Sequence, residues 1–381
     1  MMEKLQPKLR FPEFVKDWSN EDIHSILKIG SGRDYKHLNY GNIPVFGTGG
    51  LMTYVNDFLY NGETVCIGRK GTIDKPMYYN GPIWTVDTLF YTHSFKNTLP
   101  KFIYFCFLNI NWKEYNEASG VPSLSKSTIE RIIISFPSLP EQQKIASFLT
   151  TVDDKIGNLK QKVSLLEKYK KGVMQQIFSQ QIRFKDTSAG LSTGTGNDYP
   201  DWEEKSLGEV CEFYSGGTPL TTNKNFYNGN IPFIKSGEIG EKETKQFITE
   251  LGLKNSSAKL VSKGDILYAL YGATSGEVSI SQINGAINQA VLCIKSSQNQ
   301  VYLFQYLKYQ KDNIVSTYIQ GGQGNLSANI IKELNVALPS IKEQTKISEF
   351  LSGIDIKIET SKAQLSKMEV WKKGLLQGMF C

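Results

Sequence analysis

Pro200-Asp201 followed by Glu203-Glu204-Lys205 brings together the carboxylates and the lysine that a metal-dependent nuclease uses. The spacing is too tight to put these groups on two adjacent strands, so the segment reads as a turn. There is no GxxxxGK[ST] loop for a nucleotide phosphate, and no GxGxxG that follows a strand and opens a helix. None of the thirteen prolines adjoins another, so the Asn/Asp-Pro-Pro-aromatic element with which amino-methyltransferases hold their target amine is missing. The five cysteines (Cys66, Cys106, Cys211, Cys293, Cys381) form no CxxC pair, and only His24, His37 and His93 are available, which argues against a disulfide framework and a zinc or other metal site. The expectation is a chain with no catalytic residues of its own.

Residue types suited to binding are better represented. Glycine loops carry Arg33 and Lys36 in SGRDYKH, Arg69 and Lys70 in GRKGT, Lys235 in KSG, Tyr271 in YGATS, and Gln323 and Asn325 in GGQGN. Glycine lets a backbone approach a phosphate closely, arginine and lysine neutralise phosphates or read guanine, and glutamine or asparagine can pair with adenine through two hydrogen bonds. Each loop is equally compatible with a plain surface turn, and only the recurrence of such loops in both halves favours a binding face. Phe102, Tyr104, Phe105 and Phe107 read as core rather than a base-stacking platform, and Lys170-Lys171 and Lys372-Lys373 as a solvated helix face.

The elements that must position these loops are set by a repeat. The 42 residues from Pro137 to Phe178 align without a gap with those from Pro339 to Phe380, at an offset of 202 and with 19 identities. Chance would give about two or three. The offset persists faintly upstream, where Leu124-Ser125 matches Leu326-Ser327 and Gly62-Glu63 matches Gly264-Asp265. Nearer the start the frame slips, and Phe11-Pro12 ahead of Trp18 is echoed by Tyr199-Pro200 ahead of Trp202. The chain is a tandem duplication.

Within each repeat the back segment is helical. Val152, Ile156, Leu159, Val163, Leu166, Val173 and Ile177 follow a 4,3 spacing with Lys170 as a polar break. Ile354, Ile358, Leu365, Met368, Leu375 and Met379 keep the register with Ser361 and Lys372 as breaks, which is a coiled-coil pattern. Glu141-Gln142 and Glu343-Gln344 place acidic charge on the first turn, and a helix is predicted from about 146 to 178. The fronts hold short apolar runs at 64–67, 132–134, 266–270 and 290–294 between turn residues, which predicts strands, with helices over 101–115 and 301–316. The expected boundaries are a globule over 1–140, a helix segment over 141–185, a linker over 186–198, a second globule over 199–338 and a second helix segment over 339–381.

Composition agrees with a folded protein: 40% of residues are hydrophobic, and 43 basic against 37 acidic residues leave a net charge of +6. Most of that charge lies in and just after the first helix, at +5 over 141–185, while 186–340 carries −3. Charge therefore permits a nucleic-acid partner without demanding one. No run of eighteen apolar residues is present, and no apolar stretch follows the first basic residues, so no membrane span or secretory signal is expected and the cytoplasm is the expected location.

Two variable fronts, each followed by a kept helix that opens Pro-Ser-Leu/Ile-x-Glu-Gln-x-Lys-Ile and ends Lys-Lys-Gly-x-x-Gln-x-(Ile/Met)-Phe, resemble the specificity subunit of a type I restriction-modification system. Gly216-Gly-Thr-Pro219, Gly229-Asn-Ile-Pro232, Gly264-Asp-Ile-Leu267 and Asn288-Gln289 add marks of that family in the second front, while the first has Arg33-Asp34-Tyr35 and Val86-Asp87 in the corresponding places. The resemblance implies an α+β fold with two mixed α/β target-recognition globules, separated by two long helices packed as an antiparallel coiled coil in a pseudo-twofold tandem repeat. It implies that each globule reads one half of a split site in double-stranded DNA, and that this chain is non-catalytic. The DNA contacts are expected from Arg33, Lys36, Arg69, Lys70, Lys235, Tyr271, Gln323 and Asn325. The helix starts, with Glu141, Gln142, Ile145 and Phe148 and with Glu343, Gln344, Ile347 and Phe350, are expected to help dock two methyltransferase subunits. Motor-nuclease subunits would complete the complex, with S-adenosylmethionine, ATP and Mg2+ held by the partners and no cofactor by this chain. A coiled-coil adaptor whose globules bind proteins is the alternative from another class, and a self-sufficient restriction enzyme is disfavoured by the missing catalytic motifs.

Overall fold

The computed structural model describes residues 6–186, 197–318 and 325–381. The chain divides into two compact units, Met1–Lys162 with Ser361–Cys381, and Val163–Thr360. Each unit therefore holds one globule, a part of the first long helix and a part of the second. Most of the linker predicted over 186–198 lies outside the described residues. Among the described residues no helix is long and apolar enough to cross a membrane.

Unit 1 is built on a six-stranded sheet in the order Lys28–Ser31, Leu89–His93, Tyr60–Gly68, Met77–Thr85, Ile43–Gly47, Gly50–Val55. The apolar run predicted at 64–67 lies in the central strand, whose residues Val65, Cys66 and Ile67 are fully buried, as a strand covered on both faces requires. All pairings are antiparallel except Ile43–Gly47 with Met77–Thr85, where Val45 faces Trp84 and Phe46 faces Thr85. A two-stranded ribbon of Ser19–Asp22 and Ile133–Phe136 completes the globule. The helix predicted over 101–115 is observed as Pro100–Asn109 followed by a 3-10 turn, Trp112–Tyr115. Phe102, Phe105 and Phe107 are fully buried, so the aromatic stripe is core.

Unit 2 repeats the plan with a different sheet. Cys211–Ser215, Val291–Ser296, Ile266–Ala269 and Val278–Ile280 form one four-stranded sheet, and Phe247–Ile248, Tyr227–Ile234, Gly285–Ile287 and Lys259–Val261 form another. The parallel pair is kept, now between Tyr227–Ile234 and Gly285–Ile287, and so is the ribbon, now Glu203–Ser206 with Asn335–Leu338. Glu203, of the nuclease-like cluster, lies on that ribbon 2.7 Å from Lys205. The Leu-Ser marks are explained by capping: Ser125 accepts from Thr128 N at the start of Lys126–Glu130, and Ser327 from Ile330 N at the start of Ala328–Glu333. The preceding Leu124 and Leu326 are buried. Such a cap is worth about 1 kcal/mol.

The long helices run over Leu139–Phe178 and Ile341–Met379. The first begins seven residues before the predicted position, because Pro140 is tolerated in a first turn and the Ser138 carbonyl receives the amides of Glu141 and Gln142. In unit 1, Lys372 pairs with Asp153 at 2.5 Å and Lys160 with Glu369 at 2.8 Å, so the two helix segments run antiparallel. The seam residues Val152, Ile156, Leu159, Val173, Ile177, Ile354, Ile358, Leu375 and Met379 are all buried. The fold class is thus the one expected: two α+β globules with long helices packed antiparallel.

The helix lysines correct the sequence reading. Lys171 and Lys373 are exposed, but Lys170 is buried in the seam, where its Nζ donates to both Asp355 carboxylate oxygens at 2.6 and 2.7 Å. Gln305 Nε2 also donates to Asp355, at 2.8 Å. A seam position tolerates lysine here because its charge is paired inside the same unit. Burial lowers the Lys170 pKa below the ordinary 10.5, with the Asp355 hydrogen bond opposing. A lysine depressed by folding stabilises least when protonated in both states, and its contribution grows as pH rises from the folded pKa towards 10.5. Urea melts of wild type and Lys170→Met should diverge in favour of wild type as pH climbs from neutral towards 10.5. A constant difference would mean that Lys170 titrates as in the unfolded chain.

Candidate nucleic-acid interface

In unit 1 the candidate contact residues converge on one loop, Thr85–Leu89, at the end of the parallel strand pair. Val86 N donates to Phe46 O at 3.0 Å, Arg33 N to Thr85 O at 2.8 Å, and the amides of Arg69 and Lys70 both to Thr88 O, at 2.8 and 3.2 Å. Trp84 Nε1 holds the Arg33 carbonyl at 2.9 Å, and Leu124 N that of Arg69 at 2.9 Å. A glycine is needed at 32 because a Cβ there would lie 2.0 Å from Val86 O. Three loops distant in sequence are therefore fixed by backbone hydrogen bonds, and Arg33, Lys36, Arg69 and Lys70 are all exposed around them. Beside them lies a groove of about 510 Å³ lined by Asp34, Tyr35, Lys36, Thr48, Met52 and Asp87, among others. It offers donors, acceptors and an apolar side chain within one loop cluster, which is what reading a base edge requires.

Unit 2 repeats the arrangement with other side chains. The parallel pair ends with Ile234 opposite Ile287, so Lys235 leaves one strand beside Asn288 leaving the other. Gly216 N donates to Asn288 O at 3.2 Å, and a Cβ on Gly216 would sit 1.7 Å from Ile287 O. Leu270 N donates to Ala290 O at 2.8 Å and Leu326 N to Leu270 O at 3.0 Å, which carries Tyr271 and Asn325 to the same loop. Lys235 and Asn325 are exposed and Tyr271 is half-buried against the core. Gln323 lies outside the described residues. Two positions that the sequence marks only as a family element and its counterpart, and not as contact residues, lie in the same loops: Asp87, and Gln289, whose Oε1 accepts from Thr218 Oγ1 at 2.7 Å. They are related by the repeat offset of 202, and that equivalence was the signal available.

The helix starts are mostly internal. Glu141 accepts from Arg10 Nε and Nη2 at 2.7 and 2.8 Å and from Trp18 Nε1 at 3.3 Å; Glu343 accepts from Arg183 Nε and Nη2 at 3.2 and 2.8 Å and from Trp202 Nε1 at 3.1 Å. The hydrogen bond to Glu141 raises the Arg10 pKa against the opposing effect of burial. Gln142 Oε1 accepts from Thr98 Oγ1 and Leu99 N while its Nε2 donates to Asn97 O and Pro137 O. Gln344 likewise accepts from Asn299 N and donates to Pro339 O. Ile145 and Ile347 are buried, Phe148 is half-buried and Phe350 is exposed. The kept motif thus ties each helix start to its globule. Phe11 packs edge-on against Phe148 at 5.9 Å and lies under Lys144 at 4.8 Å. In unit 2 those two contacts are divided: Phe184 packs on Phe350 at 5.6 Å and Lys346 lies over Tyr199 at 5.6 Å. The sequence match of Phe11 to Tyr199 therefore captures only half of the structural equivalence.

A family model described as the type I restriction modification DNA specificity domain matches residues 15–168 and again 199–370. The chain is similar to a putative type I restriction enzyme MjaX specificity subunit from Methanocaldococcus jannaschii, at 27% identity over 371 residues, covering 95% of this chain and 80% of that protein. It is similar to the type I restriction enzyme MjaIX specificity subunit of the same organism at 26% identity, covering 95% and 92%. Its fold is like that of a type I restriction-modification S subunit from M. genitalium, with a TM-score of 0.69 at 18% identity over 99% of each chain.

Proposed function

Since the chain belongs to the type I restriction modification DNA specificity family, we propose that it recognises a bipartite site in double-stranded DNA, each globule reading one half, and performs no covalent chemistry itself. The observation that carries this is the doubled loop cluster. In each unit, loops remote in sequence meet at the end of a parallel strand pair and display polar and charged side chains. Half-sites one helical turn apart are separated by about 34 Å. Helices of 40 and 39 residues, each roughly 60 Å long, can set such a spacing. Two methyltransferase subunits carrying S-adenosylmethionine would dock by the helix starts, where Phe148 and Phe350 are the accessible members of the proposed set. Motor-nuclease subunits would bring ATP and Mg2+.

Coexpression with a candidate methyltransferase in a methylation-free host, followed by mapping of modified adenines, tests this directly. A split methylated motif is expected, and methylation without such a motif would refute the reading. In the assembled complex, the Arg69→Ala/Lys70→Ala double variant should bind DNA at least about tenfold more weakly and lower the slope of log affinity against log salt by roughly 1 to 2. Unchanged affinity and slope would remove both residues from the interface.

A further inference from the structure

Resting on that reading, we infer that Leu51 and Met52 are an apolar wedge with which unit 1 unstacks and bends the half-site it reads. Both lie on Gly50–Val55, the strand at one end of the six-stranded sheet, paired there with Ile43–Gly47. The register slips within that pairing: Val45 stands opposite Thr53 and Phe46 opposite Leu51, so Met52 is the extra residue of a bulge. A bulge breaks the alternation of a strand and re-aims a side chain. Here it leaves two neighbouring long apolar side chains in solvent together, Leu51 at 50% and Met52 at 54% exposed. A Cβ built on Gly49 or Gly50 would meet nothing within 4 Å, so the hairpin tip is uncovered on that side. An edge strand that shows apolar side chains and no charge is a liability unless something packs on it.

The surroundings of the pair select DNA as the occupant. Met52 lines the groove that also holds Lys36. At the tip of the hairpin, Thr48 Oγ1 lies 3.5 Å from where a Cβ on Gly71 would be, which sets the tip beside the loop that carries the exposed Arg69 and Lys70. Cations on both sides neutralise phosphates, and leucine and methionine are among the side chains that enter between base pairs and take the place of a stacking partner. Among the described residues unit 2 shows no equivalent. The strand in the same place, Phe247–Ile248, has Ile248 buried, and the connection leading to it, 235–246, carries lysines and glutamates with its one isoleucine, Ile239, buried. The distortion is therefore expected in one half-site only.

The complete complex on a duplex carrying its mapped motif tests this, with 2-aminopurine in place of successive adenines and end labels for energy transfer. The methylated adenine is left out, because a methyltransferase that extrudes it gives the same signal. Wild type should raise the 2-aminopurine fluorescence at one step of one half-site and shorten the end-to-end distance. Leu51→Ser/Met52→Ser should remove both changes and weaken binding by roughly tenfold. The slope of log affinity against log salt should stay the same, since neither side chain neutralises a phosphate. Both side chains are exposed, so the melting temperature should not move. Leu51→Met/Met52→Leu keeps the apolar pair and should keep the unstacking and the bend. A wild-type complex that leaves the duplex stacked and straight outside the methylated adenine, a serine double variant that still unstacks it, or one that no longer holds the methyltransferase would each overturn the wedge. If the wild-type complex directs no split motif, the specificity reading itself fails; if it does and the duplex stays stacked, only the present inference fails.

Discussion

Replacing Glu141 by alanine should cost unit 1 about 2–3 kcal/mol, because it leaves the half-buried Arg10 without its counter-charge and the buried Trp18 without its acceptor. The Glu141 and Arg10 side chains are 2% and 11% exposed, so water replaces the lost hydrogen bonds only in part, on the Arg10 side. Trp18 Nε1 loses its acceptor as well. Denaturant melts followed by Trp18 and Trp112 fluorescence would show the lower midpoint. Glu141→Gln keeps an acceptor for Trp18 and should fall between the two. A loss below about 1 kcal/mol, typical of an exposed pair, would mean that the clamp is solvated in solution.

The second large effect is expected at Tyr302 in unit 2. Its ring is fully buried and meets Phe178 at 5.8 Å, Trp202 at 6.2 Å and Tyr306 at 6.5 Å, and its hydroxyl donates to the Ala337 carbonyl. One side chain thereby joins the end of the first long helix, the entry to the globule and the ribbon strand Asn335–Leu338. Tyr302→Ala should cost roughly 3–5 kcal/mol from lost burial and the cavity left behind. Tyr302→Phe removes only the hydroxyl and should cost about 1–2 kcal/mol. Equal losses in the two variants would place the stabilisation in the hydrogen bond and not in the packing.

The legibility of this chain differs by element. The two long helices and their seam could be read because a 3.5-residue period is a local property of side-chain spacing, and the buried residues Val152 to Met379 follow it. The strand at Tyr60–Gly68 was readable from its apolar run for the same reason. Lys170 was misread because a lysine at a seam position looks like a break, and its partner Asp355 is 185 residues away. The role of Glu141-Gln142 was half read: a helix start was evident, but not that Arg10 and Trp18 close over it.

The sequence by itself determined the duplication, the helical backs, the strand-rich fronts and the family, because repeats, periods and motifs are written along the chain. Only the tertiary structure decided that each unit borrows a part of both long helices. Only it decided that Arg33, Arg69 and Asp87, or Lys235, Tyr271 and Gln289, share one loop cluster. The physical reason is that strand pairing and buried hydrogen bonds join residues without regard to their separation in sequence. The parallel step from Phe46 to Thr85, and from Ile234 to Ile287, is what brings the loops together.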